Sequence, residues 1–546
     1  MKKIQKLLAL LLAVLMLASV FAGCAKQETP STDATSTSTD RPKDEASAET
    51  PNAPAEPASD AAWDTSKKDE IIVSVINGYY TAGEKKLAEE YMKLHPETQV
   101  TVDVVADNDS YTLKMQTIFA DPSAAGTSDI VHANFFSSIA GGPAAALSSG
   151  LLLDMNTILD LEHPYQDGTV RDMFDETVLL ESVNTSGGSG MQSLPFDKCG
   201  ISFYYNKDMF AANGLEAPET WEELLAACEV FREAGVQNPI TVSSEATWIL
   251  ASLADAGWRA NEYDYLIQPT DGAYDAASMS ANDGFVWDPD NLACDVFTVT
   301  SAERECIAIM NGSLLSDWSR TAWSEFAKLA QYFPANYIAG GADTVAEFEM
   351  QLSPMLVSGS WNVGLLLDDI NQMPESAQFN WATFNIPGFE NPPEGFESEM
   401  RGLYTLGNVM GIVNKGDADH AARVLDFYLF WYSQAGAQLC YEETLSNGNY
   451  VQGPAMIKGV TLSDELMEKL QGFIVEGPVK QYASSLIGQD RTTEADRPIY
   501  NDLIIKLAAG EIDIDTFVTG MDAVAKAFVE TRIEAAGYDL DPATNP

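Results

Sequence analysis

The chain has 546 residues, of which 31 are Lys or Arg and 81 are Asp or Glu, giving a formal net charge of −50 at pH 7. So acidic a protein repels phosphate groups, which excludes nucleic acid and anionic lipid as partners bound through charge. The acidity fits either a cationic ligand or, as we expect, a solvated surface that keeps the protein soluble.

The first residues predict export. Three lysines precede an apolar run over 7–21, which is too short for a stable membrane-spanning helix and ends in small residues before Cys24. This arrangement resembles a bacterial lipobox, which implies that 1–23 is a signal peptide and that lipidated Cys24 holds the protein on the extracellular face of the cytoplasmic membrane. The alternative is a cleaved secretory signal followed by an incidental cysteine.

Residues 24–68 are predicted to be a disordered tether. They are rich in Thr, Ser, Pro, Ala, Asp and Glu and contain almost no large apolar side chain before Trp63. Such a segment cannot bury enough surface to fold, so it would lift the folded body off the membrane.

The remaining five cysteines are widely spaced and form no Cys-x-x-Cys pair. Neither a zinc site nor a dense disulfide framework is therefore indicated. We expect mostly buried thiols with at most one or two bridges, and neither a metal nor another cofactor.

The folded part opens with alternating strands and helices. Residues 71–76 form a β-branched run that predicts a buried strand, and apolar residues then recur at helical spacing until Pro96. Further strands are predicted over 100–105 and around 129–133. This alternation indicates a largely parallel sheet with helices on both faces.

Ligands of such sheets gather at the carboxyl ends of the strands. This position makes candidates of four residues: Tyr79, Tyr80, Asn134 and Phe135. Adjacent strand residues point to opposite faces, so only one of the two tyrosines is expected to reach a ligand.

The middle of the chain carries a longer motif. It runs from Tyr204 to Asp208, continues through Gly214 and ends in a Pro-x-Thr-Trp-Glu-Glu-Leu segment over 218–224, whose Thr and second Glu form a capping box. This motif resembles the signature of extracellular solute-binding proteins of carbohydrate ABC importers. Other segments resemble that family in the same order, namely 128–131, 149–154, 358–361, 385–388, 407–415 and 421–431.

The resemblance covers roughly 70–546 and implies a periplasmic-binding-protein-like type II α/β fold, in which a hinge joins two lobes around a ligand cleft. The predicted N-terminal lobe is 69–197 plus 386–440, and the predicted C-terminal lobe is 198–385 plus 441–546. The stretch 259–348 is longer than the family pattern and is a candidate for covering or extending the cleft.

By the same resemblance, the protein is no enzyme: it binds a sugar or oligosaccharide by lobe closure and delivers it to ABC transporter permease subunits. We expect it to be a monomer that meets the membrane only through its lipid anchor.

The resemblance adds three candidates for ligand contact. Trp361 follows Gly359-Ser360 in a turn where the family commonly stacks an aromatic ring on sugar, and Trp248 falls where it often has a second cleft aromatic. Asp197, at the predicted first crossing between lobes, could accept hydrogen bonds from hydroxyl groups or cap a turn. The alternative for both tryptophans is a packing role.

Other functions stay open at this point. The sequence has no Gly-x-Ser-x-Gly or His-Glu-x-x-His motif, but a glycosidase needs only two carboxylates, which a chain with 81 acidic residues could supply. The alternatives are a same-fold binding protein for a non-carbohydrate solute, a surface sensor and an exported hydrolase.

Overall fold

The computed structural model describes residues 69–541, except for 125, 134, 136–141, 176–177, 180–181, 183–189, 262–273, 276–279, 282–298, 336, 340–342 and 475–480. The predicted signal peptide, lipidation site Cys24 and tether lie outside the described residues, as do Asn134 and Cys294.

The strands and helices follow in chain order. The strands are β1 (Asp69–Ile76), β2 (Thr98–Val105), β3 (Ile130–His132), β4 (Lys198–Asn206), β5 (Ile240–Thr241), β6 (Tyr274–Asp275), β7 (Ser280–Ala281), β8 (Met355–Gly359), β9 (Trp381–Phe384), β10 (Leu403–Leu406) and β11 (Met410–Ile412). The helices are α1 (Thr81–Leu94), α2 (Asn108–Ala120), α3 (Gly142–Ser148), α4 (Lys207–Ala212), α5 (Trp221–Glu233), α6 (Ala246–Asn261), α7 (Val299–Met310), α8 (Asp317–Ala330), α9 (Thr344–Glu349), α10 (Asn362–Gln372), α11 (Ala418–Tyr432), α12 (Gln434–Ser446), α13 (Asp464–Leu470), α14 (Gln481–Ser485), α15 (Arg497–Ala508) and α16 (Ile514–Ala536).

The first sheet has the strand order β11-β3-β1-β2. β1 runs parallel to both β2 and β3, while β11 is antiparallel to β3. The early strands and the helix between the first two are therefore confirmed. Buried apolar clusters, one of which includes Ile71, Val73 and Ile130 and another Ile76 and Val131, pack against the sheet.

The second sheet has the order β10-β4-β8-β5, and β9 also pairs with β4. β4 is antiparallel to β8, β9 and β10, while β5 is parallel to β8. The largest apolar cluster packs here and includes side chains of α5, α6, α8 and α16. The described helices of the long stretch 259–348 thus help to build a core. Trp323, for example, is buried in this cluster, and its Nε1 donates a hydrogen bond to the Ile487 carbonyl at 2.8 Å.

The strand pairings bear on the predicted lobe boundary near the second crossing, which stays a prediction. The chain from Ile386 to Leu406 was assigned to the first lobe, but β10 pairs with β4, and Phe396 and Met400 pack in the core of the second sheet. The chain joins the first sheet only at Met410, because β11 pairs there with β3. All of the lobe boundaries stay predictions.

The capping box at the start of α5 forms in part. The Thr220 hydroxyl accepts a hydrogen bond from the Glu223 amide at 3.2 Å, as predicted. The Glu223 carboxylate accepts from the Glu219 amide at 2.9 Å. Two free amides at the helix start are thereby satisfied.

The cysteine prediction is confirmed for the described part of the chain. Cys199, Cys228, Cys306 and Cys440 are buried free thiols. In the same residues, no helix combines the length and apolar character that crossing a membrane requires.

Candidate ligand-binding site

Three chain segments meet where the two sheets are connected. Phe196 packs with the first sheet, and β4 of the second sheet starts two residues later at Lys198. Between them, the Asp197 carbonyl accepts from the Gly407 amide at 3.1 Å, and the Lys198 amide donates to the Pro454 carbonyl at 2.9 Å. This junction is therefore held by backbone hydrogen bonds.

Tyr80 and Asp197 form a buried pair inside this junction. The Tyr80 hydroxyl donates to Asp197 Oδ2 at 2.5 Å, and the Asn408 amide donates to Oδ1 at 2.6 Å. The Gln452 amide donates to the Tyr80 hydroxyl at 3.2 Å. Both side chains are 0 % exposed in this conformation, and their contact with a ligand stays a prediction.

Burial shifts the titration of both members of the pair. It raises the pKa of Asp197 to about 7, although the hydrogen bonds from Tyr80 and from the Asn408 amide oppose the shift. Burial also raises the pKa of Tyr80 well above its ordinary value, and the neighbouring Asp197 charge adds to that effect.

Tyr79 is the partly exposed member of the adjacent tyrosines, in line with the predicted alternation of faces. Its ring meets the ring of partly buried Tyr450 edge-on, with centroids 6.1 Å apart. The Tyr450 amide donates to the Gly78 carbonyl at 2.8 Å, which fixes this contact.

Trp361 is partly buried and precedes the first residue of α10. Its ring folds over Gly359, where a Cβ would lie only 2.2 Å from ring carbons, so this Gly-x-Trp turn requires glycine. The Ser360 hydroxyl accepts from the Gly200 amide at 3.1 Å and donates to the Gln452 carbonyl. The turn with Trp361 is thus tied to the segment that carries Tyr450.

The other predicted aromatics lie on the two sheets separately. Partly buried Phe135 packs with Tyr79 on a cluster of the first sheet, and its ring centroid lies 4.8 Å from that of Tyr111. Partly buried Trp248, in the first turn of α6, packs with Trp361 against the core of the second sheet. The described contacts thus place two partly buried predicted aromatics on each sheet, beside the fully buried Tyr80 of the first.

Sequence reasoning missed Tyr450 and Lys198. Tyr450 joins Tyr79 only because the chain returns to the end of β1 after α12. The Lys198 ammonium lies 4.8 Å from the centre of the Tyr404 ring, on the neighbouring strand β10. A resemblance to the family motif marked the crossing at Asp197 but not the side chains that surround it.

The arrangement offers apolar surfaces to a ligand. Partly exposed aromatic rings can cover the apolar faces of a ligand. The carboxyl group of Asp197 is closed to solvent, so it cannot exchange protons with a ligand in this conformation. In the part of the chain that the structure describes, no three His, Cys, Asp or Glu side chains are placed to hold a metal ion.

Part of the chain matches a known protein family. Residues 77–293 match the family model of the bacterial extracellular solute-binding protein. A search of curated protein sequences gives no match.

Solved structures share the fold at low sequence identity. The binding protein RafE in complex with raffinose is 16% identical over 84% of this chain and 100% of its own, with a TM-score of 0.51. A chitin oligosaccharide binding protein is 17% identical over 84% of this chain and 99% of its own, also at 0.51. The substrate-binding protein Lmo0181 from Listeria monocytogenes, in complex with cycloalternan, is 15% identical over 87% of this chain and 100% of its own, with a TM-score of 0.50. The predicted type II fold, with two α/β lobes joined by a hinge, is confirmed.

Proposed function

We propose that the chain is a bacterial extracellular solute-binding protein, as the family match over residues 77–293 suggests, and that it captures a sugar or oligosaccharide by lobe closure and delivers it to an ABC importer permease. The observation that carries the proposal is the gathering of partly exposed Tyr79, Tyr450 and Trp361 around the junction of the two sheets. The protein acts as a binding protein and not as an enzyme.

Aromatic rings of this kind suit a saccharide. The C–H face of a pyranose packs on a Tyr or Trp ring, while its hydroxyl groups take hydrogen bonds from neighbouring polar groups. Tyr79 extends from the end of β1 and Trp361 follows the end of β8, so a ligand between the sheets would meet a ring on each side. Contacts to both lobes are what favours a closed state over an open one.

The solved relatives support the same ligand class. Raffinose, chitin oligosaccharide and cycloalternan, which those proteins bind, are all saccharides. The carbohydrate assignment rests on this shared chemistry together with the aromatic rings of the junction.

The proposal also includes a lipid anchor at Cys24. The described residues begin with β1 at Asp69, directly after the predicted tether 24–68. A captured solute is useful only beside a permease, and two acyl chains would keep the protein there while the tether lets the lobes turn toward it.

A thermal-shift screen with monosaccharides, oligosaccharides, peptides and polyamines tests the ligand class. A ligand that binds only the folded state raises the melting temperature, by an amount that grows with its concentration over Kd. We expect stabilisation by at least one saccharide. Stabilisation by a peptide or polyamine, with no response to any saccharide, would show that the protein serves a different solute.

Replacing Trp361 with Ala is expected to weaken binding of that saccharide about tenfold or more, because a stacked aromatic is a typical binding hot spot. Isothermal titration calorimetry measures the change. Tyr205→Ala is the matched control, since Tyr205 is also partly buried against the same core but lies near the other end of β4. Equal affinities of Trp361→Ala and the control would assign Trp361 to packing.

A further inference from the structure

We infer that Tyr80 and Asp197 are positioning residues that couple the protonation of one buried carboxyl group to the relative orientation of the two lobes. We call Tyr80, Asp197, Asn408 and Gln452 the hinge latch. The inference rests on the proposed function only in that lobe orientation sets the affinity for solute.

The hinge latch links separate parts of the chain through two side chains. Asp197 immediately precedes the second sheet, and Asn408 stands between β10 of the second sheet and β11 of the first. Tyr80 follows β1, and its hydroxyl accepts a hydrogen bond from the Gln452 amide. The Gln452 carbonyl in turn accepts a hydrogen bond from the hydroxyl of Ser360, which follows β8 of the second sheet. A rotation of one sheet relative to the other must therefore strain or break these bonds.

The backbone of Tyr80 shows that the pair is held against a local preference. Its φ of 45° lies in the left-handed region, which a bulky residue rarely adopts. Such conformations persist where surrounding contacts over-determine them, and they concentrate at functional sites. The hydroxyl bonds to Asp197 and Gln452 supply that constraint.

The site around the carboxyl group has no spare room. A Cβ on Gly407 would lie 2.4 Å from Asp197 Oδ1, so only glycine lets the second crossing approach this closely. Water has no access to Asp197 in this arrangement, since the residue is 0 % exposed. A charge on the carboxylate must then be stabilised by the donors of the hinge latch.

Lys198, which directly follows Asp197, is the adjacent cation, and its ammonium lies 4.8 Å from the centre of the Tyr404 ring. In the described part of the chain, the other titratable side chains that act on Asp197 or border the hinge latch are tyrosines, cysteines and one glutamate. They are Tyr80 beside β1, Cys199 on β4, Tyr432 on α11, Cys440 and Tyr441 on α12, and Glu84 on α1, which faces Asn408. Burial therefore dominates and raises the pKa of Asp197 to about 7.

The direction of the pH effect follows from this shift. At low pH the carboxyl group is protonated and favours the state in which it is buried. This preference is lost as the pH rises through its raised pKa of about 7. Above that pH, the equilibrium constant shifts toward an arrangement in which water reaches Asp197. The shift is at most about tenfold per pH unit, because one proton is involved. The lobe orientation seen here is thus held below pH 7 and loosens above it.

Small-angle X-ray scattering of the ligand-free full-length protein between pH 5.5 and 8.5 tests this coupling. We expect the radius of gyration to rise with a midpoint near pH 7 in the wild type and to stay constant in Asp197→Asn, which keeps a neutral group. Tyr80→Phe removes a donor to the carboxylate, so its midpoint should move to higher pH.

Tyr91→Phe is the matched control, because the buried Tyr91 hydroxyl donates to Asp426 at 2.7 Å within the first-sheet region. It should keep the wild-type midpoint. A wild-type radius that does not change with pH overturns the inference, even if Asp197→Asn does not fold. An unmoved midpoint in Tyr80→Phe overturns the role of Tyr80. Both outcomes are independent of the saccharide screen, since no ligand is present.

Discussion

Asp255→Asn is expected to lower the free energy of unfolding by about 3–5 kcal/mol, because it removes the buried negative charge that Arg401 and Arg259 both bind. Arg401 donates to both Asp255 oxygens, from Nη2 at 2.6 Å and from Nε at 2.8 Å, and Arg259 Nε donates to Oδ2 at 3.1 Å. The Asp255 side chain is only 3% exposed, so water cannot replace these bonds. Urea denaturation followed by circular dichroism measures the loss.

The exposed pair Asp160–Arg171 provides the control. Arg171 Nη2 lies 3.0 Å from Asp160 Oδ1, but the Asp160 side chain is 84% exposed. Asp160→Asn should therefore cost less than about 1 kcal/mol. Similar losses in the two variants would contradict the view that burial makes the Asp255 cluster important.

The Asp255 cluster also affects the candidate site. Asp255 lies on α6, and Arg401 precedes β10, the strand that leads to the second crossing. The same helix carries Trp248 in its first turn. The cluster therefore fixes one predicted ligand aromatic and the approach to the hinge relative to each other.

Local sequence patterns predicted the elements that depend on local physics. The β-branched run from Ile71 to Ile76 became the central strand β1 because alternate side chains enter apolar cores on both faces. Thr220 became the N-cap of α5 because its hydroxyl satisfies an amide within three residues. Neither result requires knowledge of distant parts of the chain.

Strand partners depend on distant residues, which local sequence patterns do not specify. Leu403–Leu406 has the apolar character of a strand, but nothing within it specifies which sheet it joins. Its pairing with Ile201 to Lys198 is set by the path of the chain through the second core. The lobe to which residues 386–406 belong therefore stays a prediction.

The candidate site was predictable in its residue types but not in its burial. Tyr79 and Tyr80 are equivalent in the sequence, yet the hydroxyl of Tyr80 is drawn into the core by Asp197, a residue from another element. Tyr450 completes the partly exposed tyrosine pair and has no local signal that distinguishes it. Long-range hydrogen bonds therefore decide which aromatic rings stay available to a ligand.

Gly453→Ala is expected to lower the free energy of unfolding by about 3 kcal/mol or more and to weaken solute binding, because it overpacks the junction of the sheets. An added Cβ would lie 1.7 Å from the Lys198 carbonyl oxygen and 3.2 Å from Ser360 Oγ. The backbone cannot yield easily, since the Lys198 amide donates to Pro454 at 2.9 Å and the Gly453 carbonyl accepts from Tyr441 at 3.1 Å. Denaturation and calorimetry with the identified saccharide measure the two effects.

Gly510→Ala separates this clash from the general cost of replacing a glycine. Gly510 has a φ of 69°, and no atom lies within 4 Å of an added Cβ, so only backbone strain of about 1–2 kcal/mol is expected, with unchanged affinity. An equal loss of stability in both variants would contradict a tight junction. A stable Gly453→Ala protein with wild-type affinity would show that the segment 450–455 can move away from β4 without disturbing the lobes, and lobe orientation would then have to be set elsewhere.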